Sequence, residues 1–285
     1  MKQQNIHYFP GHMQKALRLI EGFVKSVDLI VELVDARAPL ASRNPLLDDL
    51  SGGKARLLLL TKSDFADKKT TESWISYFSD KGFPVISGNL KKDRIVSILS
   101  RASLPLVASK REKEKRYGMK KQPIRVMVIG IPNVGKSTFI NNVRGKKVAQ
   151  VGNKAGVTRA EQWIKIDEDF VLLDTPGILP MNYPSEDQAV KLALLGSMRE
   201  DVLPTEDLAE RLIELLKLSY PLALFGRFGI ESIASMYPHE VLTAVAIKRG
   251  LLDGGNPSTE KASYLLIKEF KDGLLGAISL ESPLC

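Results

Sequence analysis

Short, wholly apolar runs alternate with stretches of helical spacing through the first 180 residues of the chain. DLIVELVDA (28–36), RLLLLTKSD (56–64), PVISG (84–88) and IRVMVIG (124–130) carry β-branched residues and are bounded by polar or turn-forming positions, so each reads as a buried strand. Between them lie GHMQKALRLIEGFVK (11–25), with Met13, Ala16, Leu17, Ile20 and Val24 on one side, then TTESWISYFSDKG (70–82), RIVSILSRA (94–102) and KSTFINNVR (136–144), which read as helices. QWIKIDEDFVLLD (162–174) reads as a hairpin leading into a further buried strand. Strands alternating with helices predict an α/β domain with a mostly parallel sheet. Past residue 180 the pattern turns helical, in EDQAVKLALLGSM (186–198), TEDLAERLIELLKLS (205–219), HEVLTAVAIKRG (239–250) and EKASYLLIKEF (260–270), with RGLLDGGNPS (249–258) as a glycine-rich turn. The expected organisation is an α/β domain over residues 1–180 and an all-helical domain over 181–285.

Composition adds three points. No apolar run approaches the roughly 18 residues that a membrane helix needs, and the start, MKQQNIHYFPGHMQKA, lacks the apolar core of a secretion signal. Cys285 is the only cysteine, which excludes an intramolecular disulfide and suits a reducing compartment, so a cytoplasmic protein is expected. The net charge is +8, unevenly spread: between Lys110 and Arg125 eight basic residues face only Glu112 and Glu114. A polyanion partner and a solvated basic helix both fit that stretch.

The chemistry lies in the loops. GIPNVGKS (130–137) matches the phosphate-loop pattern between a strand and a helix. Gly130 and Gly135 let the backbone curl and turn its N–H groups inward, Lys136 neutralises phosphate charge, and Ser137 offers a hydroxyl to Mg²⁺. Asn133, Val134 and Thr138 complete the nucleotide-binding loop. At 171–177, VLLDTPG sets Asp174 at a strand end for Mg²⁺ and Gly177 where its N–H can meet a γ-phosphate. Thr158, in GNKAGVT (152–158), is a candidate second hydroxyl on the metal. No base-reading motif follows. One precedes: Thr61, Lys62 and Asp64 form T-K-x-D after a strand. Asp64 can accept from guanine N1–H and the 2-amino group, donors that adenine lacks; sites of this kind discriminate by about 10⁴–10⁵. The stem of Lys62 can lie over the base, and the hydroxyl of Thr61, where asparagine is commoner, can tie this loop to the phosphate loop. Ser87, Gly88 and Asn89 follow the next strand, and the N–H of Gly88 can meet guanine O6. The order base, base, phosphate loop, switch I, switch II is what results from cutting a Ras-like domain ahead of its base-reading half and joining its old ends through 103–123.

With these motifs in place, the chain resembles the RbgA/YlqF family of circularly permuted GTPases over essentially its whole length. The resemblance rests on YFPGHM (8–13), VDLIVELVDARAPLASRNP (27–45), LLLTKSD, GIPNVGKST, GVTR (156–159), LLDTPGIL (172–179) and KRGLLDGGNPS (248–258). It implies a circularly permuted Ras-like P-loop GTPase domain with a C-terminal all-helical domain that binds ribosomal RNA, acting on the large ribosomal subunit and binding GTP and GDP with Mg²⁺; no membrane partner is expected. A monomer is expected. Thr61 in place of asparagine and SGN in place of a serine–alanine start depart from the family pattern.

Ile178 occupies the position where Ras-like enzymes carry a water-orienting glutamine, so intrinsic hydrolysis is expected to be slow unless another group holds the water. The family resemblance implies that Asn133 helps hold K⁺ against the phosphates and that His12 is the catalytic histidine, alongside Lys136 and Gly177. Because DTPGILP runs directly into the helical region, loss of the γ-phosphate can move that region. Lys248 and Arg249 are candidate RNA-phosphate contacts. Two other readings remain open here: a nucleotide-gated RNA-binding scaffold with negligible turnover, and an ATPase, against which Asp64 argues.

Overall fold

The computed structural model describes residues 18, 20–144, 163–173, 185–198 and 203–283. In chain order the elements are β1 (Leu29–Asp35), α1 (Pro39–Ser42), α2 (Leu46–Leu50), β2 (Ala55–Thr61), α3 (Lys68–Asp80), β3 (Val85–Ser87), α4 (Ile95–Ser103), α5 (Ala108–Arg116), β4 (Ile124–Gly130), α6 (Lys136–Arg144), β5 (Trp163–Lys165), β6 (Phe170–Leu173), α7 (Glu186–Leu194), α8 (Thr205–Ser219), α9 (Phe225–Phe228), α10 (Pro238–Arg249), β7 (Leu252–Asp253), β8 (Asn256–Pro257) and α11 (Thr259–Lys271). Of the helix expected at 11–25, residues 20–24 are described and are helical, burying Ile20 and Val24.

Six strands form one sheet in the order β3-β2-β1-β4-β6-β5, parallel except for the β5–β6 hairpin. Every residue of β1 is buried, as a central parallel strand covered on both faces requires. Alternate residues serve opposite cores. Leu29, Val31 and Leu33 pack with Val126, Val128, Leu99, Phe139 and Val143 on one face. Ile30 meets Ile20, Val24 and Met127, and Val34 meets Leu58, Leu60, Trp74 and Phe78, on the other. The chain runs outward from β1 to β3, returns to lay β4 against β1, then continues to the opposite edge. The order thus reverses between β1 and β4, and in an open α/β sheet the crevice beyond the carboxyl ends of the strands at such a reversal is where ligands bind. The registers Asp35↔Thr61, Leu60↔Ser87 and Leu33↔Gly130 bring the ends of β1, β2, β3 and β4 to that one edge.

The helical elements share a core in which Leu208, Leu212, Ile213 and Leu216 of α8 meet Val241 and Val245 of α10 and Leu266, Ile267 and Phe270 of α11. Ala38 and Ala41 join this core from beside β1, while α7 places Ala189 and Leu192 in the core of the sheet, so α7 serves both cores. Two features refine the sequence expectation. The glycine-rich turn after α10 is a small hairpin, β7–β8, whose Gly254 and Gly255 both have positive φ, as a two-residue turn of the mirror-image type needs. The basic connector holds the helix α5, whose last two residues and the segment 117–122 after it are all exposed. Among the described residues no helix is long and apolar enough to cross a membrane.

Candidate functional site

The loop between β4 and α6 curls because three residues permit it. A side chain on Gly130 would meet the Leu33 carbonyl oxygen at 2.8 Å and Val134 Cγ1 at 2.9 Å. Asn133 and Gly135 take positive φ, 58° and 113°. The first turn of α6 then points its N–H groups toward the loop mouth. Lys136 folds its ammonium over the loop, donating to the carbonyls of Gly130 (3.1 Å) and Ile131 (2.9 Å). Ser137 is exposed at the start of α6, Thr138 is half-buried and Val134 is fully packed beneath the loop. Asn133 Nδ2 donates to the Gly196 carbonyl at 2.6 Å, a contact from the phosphate loop to the turn that follows α7.

The T-K-x-D loop lies beside it. Thr61, with no exposed surface, donates its hydroxyl to the Val134 carbonyl at 2.7 Å, with the Val34 carbonyl at 3.1 Å. A threonine at the end of β2 thus holds the phosphate loop directly. Lys62 is in the left-handed region, φ 53°, and its ammonium is 2.9 Å from Asp35 Oδ2. Asp64 is exposed and has no hydrogen-bond or ion-pair partner among the described residues. Its carboxylate is free to accept from a ligand.

At the end of β3, Ser87 is half-buried and Asn89 is buried. Asn89 N–H donates to Asp93 Oδ2 at 2.7 Å and its Oδ1 accepts from Lys91 N–H at 2.9 Å. The N–H of Gly88, expected from the sequence to meet guanine O6, donates to the Leu60 carbonyl at 3.0 Å and completes the sheet. A parallel strand neighbour engages this amide because Ser87 pairs in register with Leu60. Asn142 of α6 donates to the carbonyls of Leu90 (2.8 Å) and Asp93 (3.1 Å), tying this turn to the phosphate-loop helix. His12, Thr158, Asp174, Gly177 and Ile178 lie outside the described residues.

Behind the T-K-x-D loop sits a buried ion cluster. Asp35 and Arg37 are each 1% exposed. Arg37 reaches both carboxylate oxygens, Nε to Oδ1 and a terminal nitrogen to Oδ2, each at 2.9 Å. Burial alone would push the Asp35 carboxyl up, but the charges of Arg37 and Lys62 prevail and hold it well below the usual carboxylate range.

The sheet edge therefore gathers a phosphate-loop lysine and hydroxyl, a free carboxylate and a rigid link between the two loops. Residues 125–215 match the family model of the 50S ribosome-binding GTPase. Across 98% of its length the chain is 38% identical to Ribosome biogenesis GTPase A of Bacillus cereus, of which it covers 94%. The chain belongs to the ribosome biogenesis GTPase A family. The family member of Thermotoga maritima is 36% identical, with 97% of this chain and 94% of that one covered. Mitochondrial ribosome-associated GTPase 1 of Mus musculus is 34% identical, with 96% and 89% covered. Among solved structures, GNP-bound YlqF from T. maritima matches with a TM-score of 0.67 at 34% identity over 94% of this chain and 98% of that one. The GDP-bound form matches with 0.66 at 32% identity, covering 94% and 100%. The mixed α/β sheet flanked by helices is thus the fold of a GTPase family.

Sequence reasoning did not find Asp35, Arg37 or Asn142. A usable signal was present for the first two: an acid and a base, VDAR, closing a strand whose every other position is apolar or buried.

Proposed function

We propose that the chain binds and hydrolyses GTP as an assembly factor for the large ribosomal subunit. The observation that carries this reading is the bond from Thr61 to Val134, which locks a guanine-reading loop to a phosphate loop at the ligand-binding edge of the sheet while leaving the Asp64 carboxylate open. In this reading Asp64 accepts from guanine N1–H and the 2-amino group, and Lys62 covers the base. The N–H groups of residues 133–138 and the Lys136 ammonium hold the phosphates. Ser137 Oγ, exposed at the start of α6, fits a Mg²⁺ carried in by the nucleotide, with Thr158 and Asp174 assigned as its further partners. Bound there, Mg²⁺ would offset negative charge on the phosphates. Asn133 fits K⁺ through Oδ1, since Nδ2 is taken by Gly196. His12 is assigned to the attacking water and Gly177 to the γ-phosphate, and Ile178 predicts slow turnover without the ribosomal particle.

The strand order supports the permuted reading: the base-side strands β1–β3 precede the phosphate-loop strand in the chain yet lie beside it. Residues 1–180 form the GTPase domain in this proposal and 181–285 the domain that meets ribosomal RNA. Arg249 is engaged internally, 3.6 Å from Glu269 and stacked 4.9 Å over Phe228, which leaves exposed Lys248 as the freer phosphate contact. A cytoplasmic monomer completes the proposal.

Asp64→Asn tests the base assignment. The amide presents a donor where guanine also donates, and xanthine has a carbonyl there. GTP binding should fall at least about 100-fold and XTP binding should rise. Retained GTP binding rejects the assignment. Hydrolysis measured with and without large subunits, in K⁺ and in Na⁺, then separates a stimulated hydrolase from the second reading that Ile178 favours, a nucleotide-gated scaffold with negligible turnover. A rate unmoved by ribosomal particles supports the scaffold.

A further inference from the structure

The loop that carries Asp64 is held from behind by the far end of the chain. Phe65 follows Asp64 directly, and its carbonyl accepts from the N–H of Ile278 at 2.9 Å. Two residues on, the N–H of Leu280 donates to the Arg37 carbonyl at 2.7 Å. Between them, Ser279 Oγ accepts from the N–H of Asp67 at 3.1 Å. The segment after α11 is therefore a strap whose successive residues grip two loops of the sheet edge, more than 200 residues away in sequence.

Side chains repeat the pattern. The Phe65 ring packs on Gly273, where an added Cβ would lie 2.6 Å from a ring carbon, and Gly273 has φ 72°, so glycine is needed there for both space and backbone. The Arg37 guanidinium lies 5.1 Å from the centroid of Phe270, the last buried ring of α11, and 5.8 Å from that of Phe65. Arg37 in turn forks onto Asp35, whose Oδ2 holds the Lys62 ammonium at 2.9 Å. Lys62 keeps a left-handed backbone, a conformation costly for a side chain with Cβ and maintained only where its surroundings over-determine it.

We propose that residues 270–280 are a built-in brace of the guanine-reading loop, and that Asp35, Arg37 and Phe65 are positioning residues that set Lys62 and Asp64 for the base. The inference rests on the reading of Asp64 as the guanine acceptor. Its consequence is reciprocal: bound nucleotide strengthens docking of the strap, and a partner that draws α11 and the strap away weakens nucleotide binding by the same factor. The helical region thus communicates with the nucleotide through the base, by a route independent of the segment that follows Gly177.

The test is the affinity and dissociation rate of fluorescently labelled GDP on the full chain. Asp35→Asn should weaken GDP by about ten-fold, the scale of a lost charge-assisted contact. If Asp35 acts through Lys62, the same substitution in a Lys62→Met background should change affinity by less than about two-fold. An equal loss in both backgrounds overturns the positioning role. Because Asp35→Asn leaves Arg37 buried without its counter-charge, Gly273→Ala and Ser279→Ala serve as variants that spare the ion cluster. Both should speed GDP release and the hydrogen exchange of the 62–67 amides. Unchanged release in both, beside a guanine-specific loss in Asp64→Asn, rejects the brace alone. No loss in Asp64→Asn rejects the guanine assignment and the brace with it.

Discussion

Thr61→Val is the most direct probe of how the two halves of the site are joined. Valine matches threonine in shape, so the change removes one hydroxyl from a position with no exposed surface. That hydroxyl has a single proton, and the 2.7 Å distance to the Val134 carbonyl assigns it there in preference to Val34 at 3.1 Å. Its loss leaves the phosphate-loop carbonyl buried without that donor. An unmade bond to a buried acceptor costs about 1–3 kcal/mol. Part of this should appear as lower stability of the free protein in urea. The rest should appear as weaker nucleotide binding, since the bond holds the loop in its curled form: a share of about 1 kcal/mol corresponds to a roughly five-fold loss of GDP affinity. The assay is equilibrium titration with fluorescent GDP beside urea unfolding of the same preparations. Wild-type values in both would show that the bond contributes nothing. A loss of stability with unchanged GDP affinity would show that it serves the fold and not the site. Thr61→Asn, which retains a donor of longer reach, should fall between threonine and valine.

Four further outcomes follow from the geometry. Gly130→Ala drives Cβ against a backbone oxygen at 2.8 Å, so thermal unfolding should show a loss of about 1–3 kcal/mol together with greatly weakened GDP binding. Asp35 sits below the usual carboxylate range, so its contribution to stability is present above about pH 4 and lost as the pH falls below that; acid unfolding of Asp35→Asn should be correspondingly less steep. Glu281 behaves oppositely: burial pushes its carboxyl up despite Lys191 and the N–H groups of Leu40 and Ala41, so its contribution is present at low pH and lost as the pH rises through the folded value. The stability of Glu281→Gln relative to wild type should therefore grow as the pH rises above the ordinary carboxylate range, read by urea unfolding. Replacing Lys113, Lys115, Arg116 and Lys120 by alanine should flatten the salt dependence of RNA-particle binding by up to about 3–4 in log–log slope if each meets a phosphate, and should leave GDP affinity unchanged.

Much of this was readable from residue order. The strand runs at 28–36, 56–64 and 124–130 announced a covered parallel sheet because they lack alternation; β1 and β4 lie within their runs, and β2 starts one residue before its own. The phosphate loop is local chemistry: glycines, lysine and hydroxyl at fixed spacing between strand and helix. The hidden parts depend on juxtaposition. Nothing near Phe65 in the sequence announces that Gly273 and Ile278 will cover it, and Asn142 looks like any polar position on a helix until Leu90 and Asp93 arrive beneath it. The bond from the N–H of Gly88 to Leu60 was hidden for the same reason, since a partner on β2 is set by register and not by motif. The β7–β8 hairpin is different: its Gly-Gly pair was a hairpin signal in plain view.

The basic connector has a practical corollary. Residues 115–122, KRYGMKKQ, offer a trypsin-like protease four exposed basic positions, Lys115, Arg116, Lys120 and Lys121. One nick there divides the polypeptide into a leading fragment that carries Asp64 and a trailing fragment that carries Lys136, yet β1 and β4 stay zipped through five paired positions and the strap still clasps Phe65. The severed molecule should migrate as two bands on a denaturing gel and as a single particle in solution, with guanine nucleotide acting as the clamp between its pieces.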